Sequence, residues 1–109
     1  NQSLTNLPIE LSYSYSTNTS GSETKQLVKS ISEFKEIMLV ARKHESNFYS
    51  APSIRVPRDK CVQNTILRTQ DFDGNWIQVN FVDDTHIIWS FDNSAKPQFQ
   101  ILGELYGVV

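Results

Sequence analysis

The stretch Gln70-Asp71-Phe72-Asp73-Gly74-Asn75-Trp76-Ile77-Gln78-Val79-Asn80-Phe81-Val82-Asp83-Asp84-Thr85-His86-Ile87-Ile88-Trp89-Ser90-Phe91 decides the fold. Within it Ile77, Val79 and Phe81 alternate with Gln78 and Asn80, and Ile87, Trp89 and Phe91 alternate with His86, Ile88 and Ser90. Period two is the spacing of a strand buried on one face. Asp73-Gly74 supplies the positive φ that a tight hairpin turn needs, and Asp83-Asp84 turns the chain between the two runs. Consecutive hairpins of this kind build an antiparallel sheet.

Working back toward the amino terminus, a strand is expected over residues 61–69, and a shorter one over 53–56 that ends at Pro57. Proline donates nothing to a ladder, so Pro57 belongs at a strand end or sheet edge. The run Ile37-Met38-Leu39-Val40-Ala41 reads as a central strand continuing to Lys43 and buried on both faces. Ahead of it, Ser30 and Glu33 have capping-box spacing, which gives one short helical turn at 32–36 after a strand or extended arm at 27–31. Ile9, Leu11, Tyr13 and Tyr15 share one phase of a further strand, with Glu10, Ser12 and Ser14 on the other. Residues 17–24 contain no apolar side chain and read as a loop around Gly21. Toward the carboxy terminus, a loop with Pro97 leads into a last strand over 98–108. In that strand Gly103 and Gly107 mark a bulge or a close backbone approach. Seven or eight short strands with turns between them predict an all-β fold, an antiparallel β-sandwich with at most one short helical turn. Residues 1–8 form a leading segment or linker, and 9–109 a single domain.

Composition agrees with that class and excludes others. A chain of 109 residues and 12.5 kDa holds one core, not two. The net charge of −2 gives no electrostatic footprint for nucleic acid. No apolar run approaches the roughly 20 residues of a membrane helix, so no membrane insertion is expected. Cys61 stands alone, which rules out an internal disulfide framework. Opening on Asn1 without a basic-then-apolar leader, the chain reads as an excised domain or a processed chain. Ser, Thr, Asn and Gln supply 35 residues, a composition suited to turns and polar strand faces.

Nothing in the sequence assembles a reaction centre. His44 and His86 are the only histidines, and neither has the spaced companions of a metal site. Asp71-Phe72-Asp73-Gly74 has its glycine at the fourth position, not the sixth that a calcium loop requires. No GxSxG elbow is present, and Cys61 reads as a buried structural thiol. The expectation is a non-enzymatic chain with no metal and no cofactor. A basic cluster, Arg55 to Lys60, offers an anion contact or a charged edge strand.

Binding is therefore expected from two loops. Residues 44–52 combine His44, Asn47, Phe48 and Tyr49, aromatic faces beside hydrogen-bonding groups, the pairing that sugar recognition uses. The hairpin tip adds Asp71, Asp73 and Asn75 as acceptors for hydroxyls, with Trp76 behind them. A small core with Met38 and Ile88 on outward phases also predicts self-association.

The order of the pieces Leu27-Val28-Lys29-Ser30-Ile31-Ser32-Glu33-Phe34, Glu36-Ile37-Met38-Leu39-Val40-Ala41, Ser53-Ile54-Arg55-Val56-Pro57 and Ile101-Leu102-Gly103-Glu104-Leu105-Tyr106-Gly107-Val108 resembles the carboxy-terminal domain of bacteriophage tail fibres and related phage tail receptor-binding proteins. The resemblance spans about residues 25–109. It implies a small sandwich forming a homotrimeric head at a fibre tip, part of an extracellular virion, bound to other tail proteins. Its loops would recognise a bacterial surface glycan or outer-surface protein, and no catalytic residues carry over. Two other classes fit the same residues. One is a structural baseplate or decoration domain, and the other a carbohydrate-binding module of a larger protein.

Overall fold

The alternating runs become strands, and the strands divide between two antiparallel layers. The computed structural model describes residues 8–15, 20–43, 53–70, 74–95 and 100–109. Its strands are β1 (Ile9–Tyr15), β2 (Ser20–Gln26), β3 (Glu36–Lys43), β4 (Ile54–Pro57), β5 (Ile66–Gln70), β6 (Trp76–Phe81), β7 (His86–Asp92) and β8 (Ile101–Val108). One sheet has the order β1-β8-β3-β4 and the other β2-β7-β6-β5. Their inner faces meet as the expected β-sandwich. Two 3-10 turns, Ile31–Glu33 and Arg58–Lys60, join strands of different sheets. No helix among the described residues is long and apolar enough to cross a membrane.

The core follows the inward phases read from the sequence. Ile37, Leu39 and Ala41 of β3, Ile77, Val79 and Phe81 of β6, and Ile87, Trp89 and Phe91 of β7 are all buried. Two glycines in β8 admit bulky rings from elsewhere. A Cβ on Gly103 would lie 2.8 Å from Trp89 Cζ3, and one on Gly107 would lie 2.5 Å from Phe34 Cγ. Both positions are close approaches, as their place in a strand suggests.

Four expectations change. First, Tyr13 is 54% exposed and Tyr15 48%, while Ser12 and Ser14 are buried. The cause is a bulge: β1 slips register against β8 between Glu10 and Ser12, so Leu11 is an extra residue and the side-chain phase inverts after it. Secondly, Ser20 to Gln26, most of which reads as loop, forms strand β2. It pairs with β7 along its whole length, from Ser20↔Asp92 to Gln26↔His86, because the backbone groups along that side of β7 need partners. Thirdly, Cys61 lies outside the strand expected over 61–69. A turn closes there through Thr65 N–H to the Val62 carbonyl, with Asn64 at φ 71, and β5 starts only at Ile66. Fourthly, Met38 and Val40 are half-buried on the outer face of β3, so that strand is fully buried on one face only. Ile88 is half-buried on the outer face of the other sheet, so it and Met38 do not share a patch.

Candidate functional site

Strand direction decides where the interstrand connections gather. In the first sheet Tyr15 pairs with Leu102 and Lys43 with Ile101, so the ends of β1 and β3 lie beside the start of β8. In the second sheet one row crosses all four strands, Ser20↔Asp92↔Trp76↔Gln70. The start of β2, the end of β7, the start of β6 and the end of β5 therefore share one end. Tyr15 leads toward Ser20, and Asp92 toward Ile101, which makes these the same end of the sandwich. The strand ends flanking residues 16–19, 71–73 and 96–99, together with Lys43 before residues 44–52, thus form one rim, whereas Ile54 after that segment pairs with Leu39 midway along β3. Pro8 and Val109 lie at the opposite end, where Ile9 pairs with Gly107.

Of the eight residues expected to contact a ligand, His44, Asn47, Phe48, Tyr49, Asp71 and Asp73 lie outside the described residues. The other two stand on the rim in different situations. Asn75 is fully buried at 0% exposure, so its side chain faces the core and is not a surface acceptor. Gly74 before it has φ +92, the left-handed geometry expected of the Asp-Gly pair, and Gln70 Nε2 donates to its carbonyl at 3.4 Å. Trp76 is half-buried on the outer face of its sheet. The Arg68 guanidinium lies 4.0 Å from the centre of the indole and its Nε donates to Gln78 Oε1 at 2.9 Å. One face of Trp76 is thereby occupied by a cation. No local signal placed Arg68 there, because the contact depends on β5–β6 register.

The rim also carries a preset turn. Asp92 Oδ1 accepts from the Ser94 backbone N–H at 2.8 Å and from its hydroxyl at 2.6 Å. These two bonds hold the Asp92 carboxyl below the ordinary carboxylate range.

Away from the rim, the other features are structural. Arg55 of the basic cluster pairs with Glu36 across β3–β4 at 2.9 Å. His86 Nδ1 lies 3.0 Å from Asp83 Oδ1 in the β6–β7 turn. Cys61 is buried, its Sγ 3.7 Å from the Pro57 carbonyl. Among the described residues no group of three or more His, Cys, Asp or Glu side chains converges as a metal site would require.

A different feature escaped the sequence reading. Tyr13, Ser14, Tyr15, Glu23, Lys25 and Phe91 line a groove of about 280 Å³ where β1 and β2 run side by side. A second groove of about 230 Å³ continues it toward Glu10, Gln26 and Val28, sharing Tyr13 and Lys25. The only available signal was the charge of Glu23 and Lys25 on one phase of β2, and it is legible only once β2 is known to be a strand. No protein-family model, curated protein or solved structure matches this chain.

Proposed function

We propose that this domain is a non-enzymatic receptor-binding module. In this reading it is the head of a phage tail fibre, exposed on the virion, that binds a bacterial surface glycan or outer-surface protein through residues 44–52 and 71–76. One observation carries the reading: Lys43, which leads into the first segment, and Gln70 and Trp76 of the second lie on the same rim, with the positions of Pro8 and Val109 at the far end. Two segments rooted side by side on a rigid sandwich can contribute to a single contact surface. His44, Asn47, Phe48 and Tyr49 bring aromatic faces and amide or imidazole groups, and Asp71 and Asp73 bring carboxylates.

A homotrimer would multiply a weak contact by avidity.

The test is adsorption of the purified domain to host cells, with Tyr49→Ala and Asp73→Ala compared with wild type. Each variant should lose adsorption while its melting temperature holds. Normal adsorption by both variants, or none by the wild type on any strain that the parent particle infects, overturns the reading. Light scattering reports the trimer separately.

A further inference from the structure

The trough along β1 and β2 is built from residues that the rim does not use. β1 is an edge strand of one sheet and β2 an edge strand of the other, and on this side of the sandwich they face each other. Glu23 and Lys25 occupy the inward phase of β2, pairing with Trp89 and Ile87, and they reach across to β1. Ser14 Oγ donates to Glu23 Oε1 at 2.5 Å, Lys25 Nζ donates to the Tyr13 carbonyl at 2.6 Å, and Lys25 pairs with Glu23 at 3.5 Å. Lys25 Nζ also stands 4.8 Å from the centre of the Tyr13 ring. The polar walls are fixed in position before any ligand arrives.

We propose that this trough binds a neutral oligosaccharide. The site is separate from the rim and does not rest on the reading given for it. Four observations select the ligand chemistry.

An added peptide strand is disfavoured. Two β1 acceptors on this edge are taken, the Leu11 carbonyl by Val28 N–H at 3.1 Å and the Tyr13 carbonyl by Lys25. Inward charges such as Glu23 and Lys25 are also a recognised way of blocking strand addition. Glu10 and Glu23 against Lys25 leave the joined lining a net charge of only −1, which disfavours a polyanion and gives a polycation little to hold.

The aromatic groups suit sugar rings. Tyr13 and Tyr15 stand on the same phase of β1, roughly 7 Å apart along the strand, and both are about half exposed. Lys25 Nζ lies against the Tyr13 ring, and the Tyr15 ring stands further along the same phase of β1. Beside them the hydrogen bond and the ion pair of Glu23 both use Oε1, which leaves Oε2 to accept from a hydroxyl. A hydroxylated ring needs this combination of apolar face and flanking carboxylate and ammonium.

Size then favours several rings over one. Each groove alone falls below the roughly 300 Å³ of an ordinary ligand pocket. Joined through Tyr13 and Lys25, the two make an open trough larger than either groove.

The experiment is an amide-shift titration of the labelled protein with cellotetraose, maltotetraose and chitotetraose, each carried to about 10 mM, above the millimolar constants of weak sites. At least one should move the amides of residues 12–15 and 21–25 in a saturable way. Tyr15→Ala and Glu23→Gln should each weaken that binding roughly tenfold with the spectrum otherwise native, and Tyr15→Phe should retain it. The proposal is overturned if none of the three moves those amides, or if binding survives both Tyr15→Ala and Glu23→Gln unchanged. Shifts confined to residues 42–43, 74–76 and 92–94 would also overturn it, while leaving the rim reading in place.

Discussion

The indole Nε1–H of Trp89 donates to the Ser12 hydroxyl at 2.9 Å inside the core, a bond between the two sheets and between residues 77 positions apart. Trp89 is fully buried, so its single polar hydrogen needs an acceptor there. The β1 bulge provides it by turning Ser12 inward. The inverted phase of β1 and the satisfied tryptophan are thus one feature. Ser12→Ala leaves the indole N–H without its partner, at a cost of about 1–3 kcal/mol. Trp89→Phe loses aromatic volume as well, but in the double variant the polar penalty disappears, so the two effects should be less than additive. Urea denaturation of the four species measures the coupling, and strict additivity would show that the bond contributes nothing.

A methyl group on Gly107 has nowhere to go. Its Cβ would meet Phe34 Cγ, Cδ2 and Cδ1 at 2.5, 2.6 and 2.7 Å, and Phe34 is itself buried. Gly107→Ala should cost about 1–3 kcal/mol through overpacking. Adding Phe34→Leu should recover part of that loss, which distinguishes the ring contact from any effect on the strand backbone. Thermal melts of the single and double variants give the comparison.

The β6–β7 turn should respond to acid. Thr85 N–H donates to Asp83 Oδ1 at 2.8 Å, and this bond, followed by the His86 contact, holds the Asp83 carboxyl down to about 2 from an ordinary 3.8. The unfolded chain therefore binds this proton more readily than the folded one. The associated stability is present above pH 3.8 and declines as the pH falls through about 2. Carboxylate chemical shifts of Asp83 should titrate with a midpoint near 2, and a midpoint near 3.8 would mean the turn is open in solution. Asp83→Asn should flatten the acid limb of the stability profile.

Cys61 should be inert in the native state. Burial pushes its thiol up to about 11 against the opposing pull of Arg58, with Asp59 adding to the rise. The thiolate is the reacting species, so at pH 8 very little of it is present. Iodoacetamide should label Cys61 only on unfolding, and mass spectrometry across a urea series should show labelling track the unfolding transition. Rapid labelling without denaturant would mean that the turn around 61–65 opens on its own.

Leu39 tests the centre of the first sheet. It is fully buried in β3, paired with Leu105 on one side and Ile54 on the other. Leu39→Ala should cost about 2–5 kcal/mol, read from denaturant midpoints.

The sequence by itself determined the inward phases of β3, β6 and β7, the positive φ at Gly74, the strand-end position of Pro57 and the close approaches at Gly103 and Gly107. Each is a local matter: alternation is set by the pleat, and glycine and proline carry their constraints with them. Of the candidate site it yielded the two segments to inspect and the outer-face position of Trp76. Only the tertiary structure decided that Lys43, Gln70 and Trp76 share a rim, that Asn75 turns into the core and that Arg68 covers Trp76. It also decided the outward turn of Tyr13 and Tyr15 and the strand at Ser20 to Gln26, from which the β1–β2 trough is made. The physical reason is that a bulge is an extra residue relative to a partner strand, and an edge strand forms because a distant neighbour has unpaired backbone groups. Ser12 is buried because Trp89 needs an acceptor, and nothing within a few residues of Ser12 carries that information.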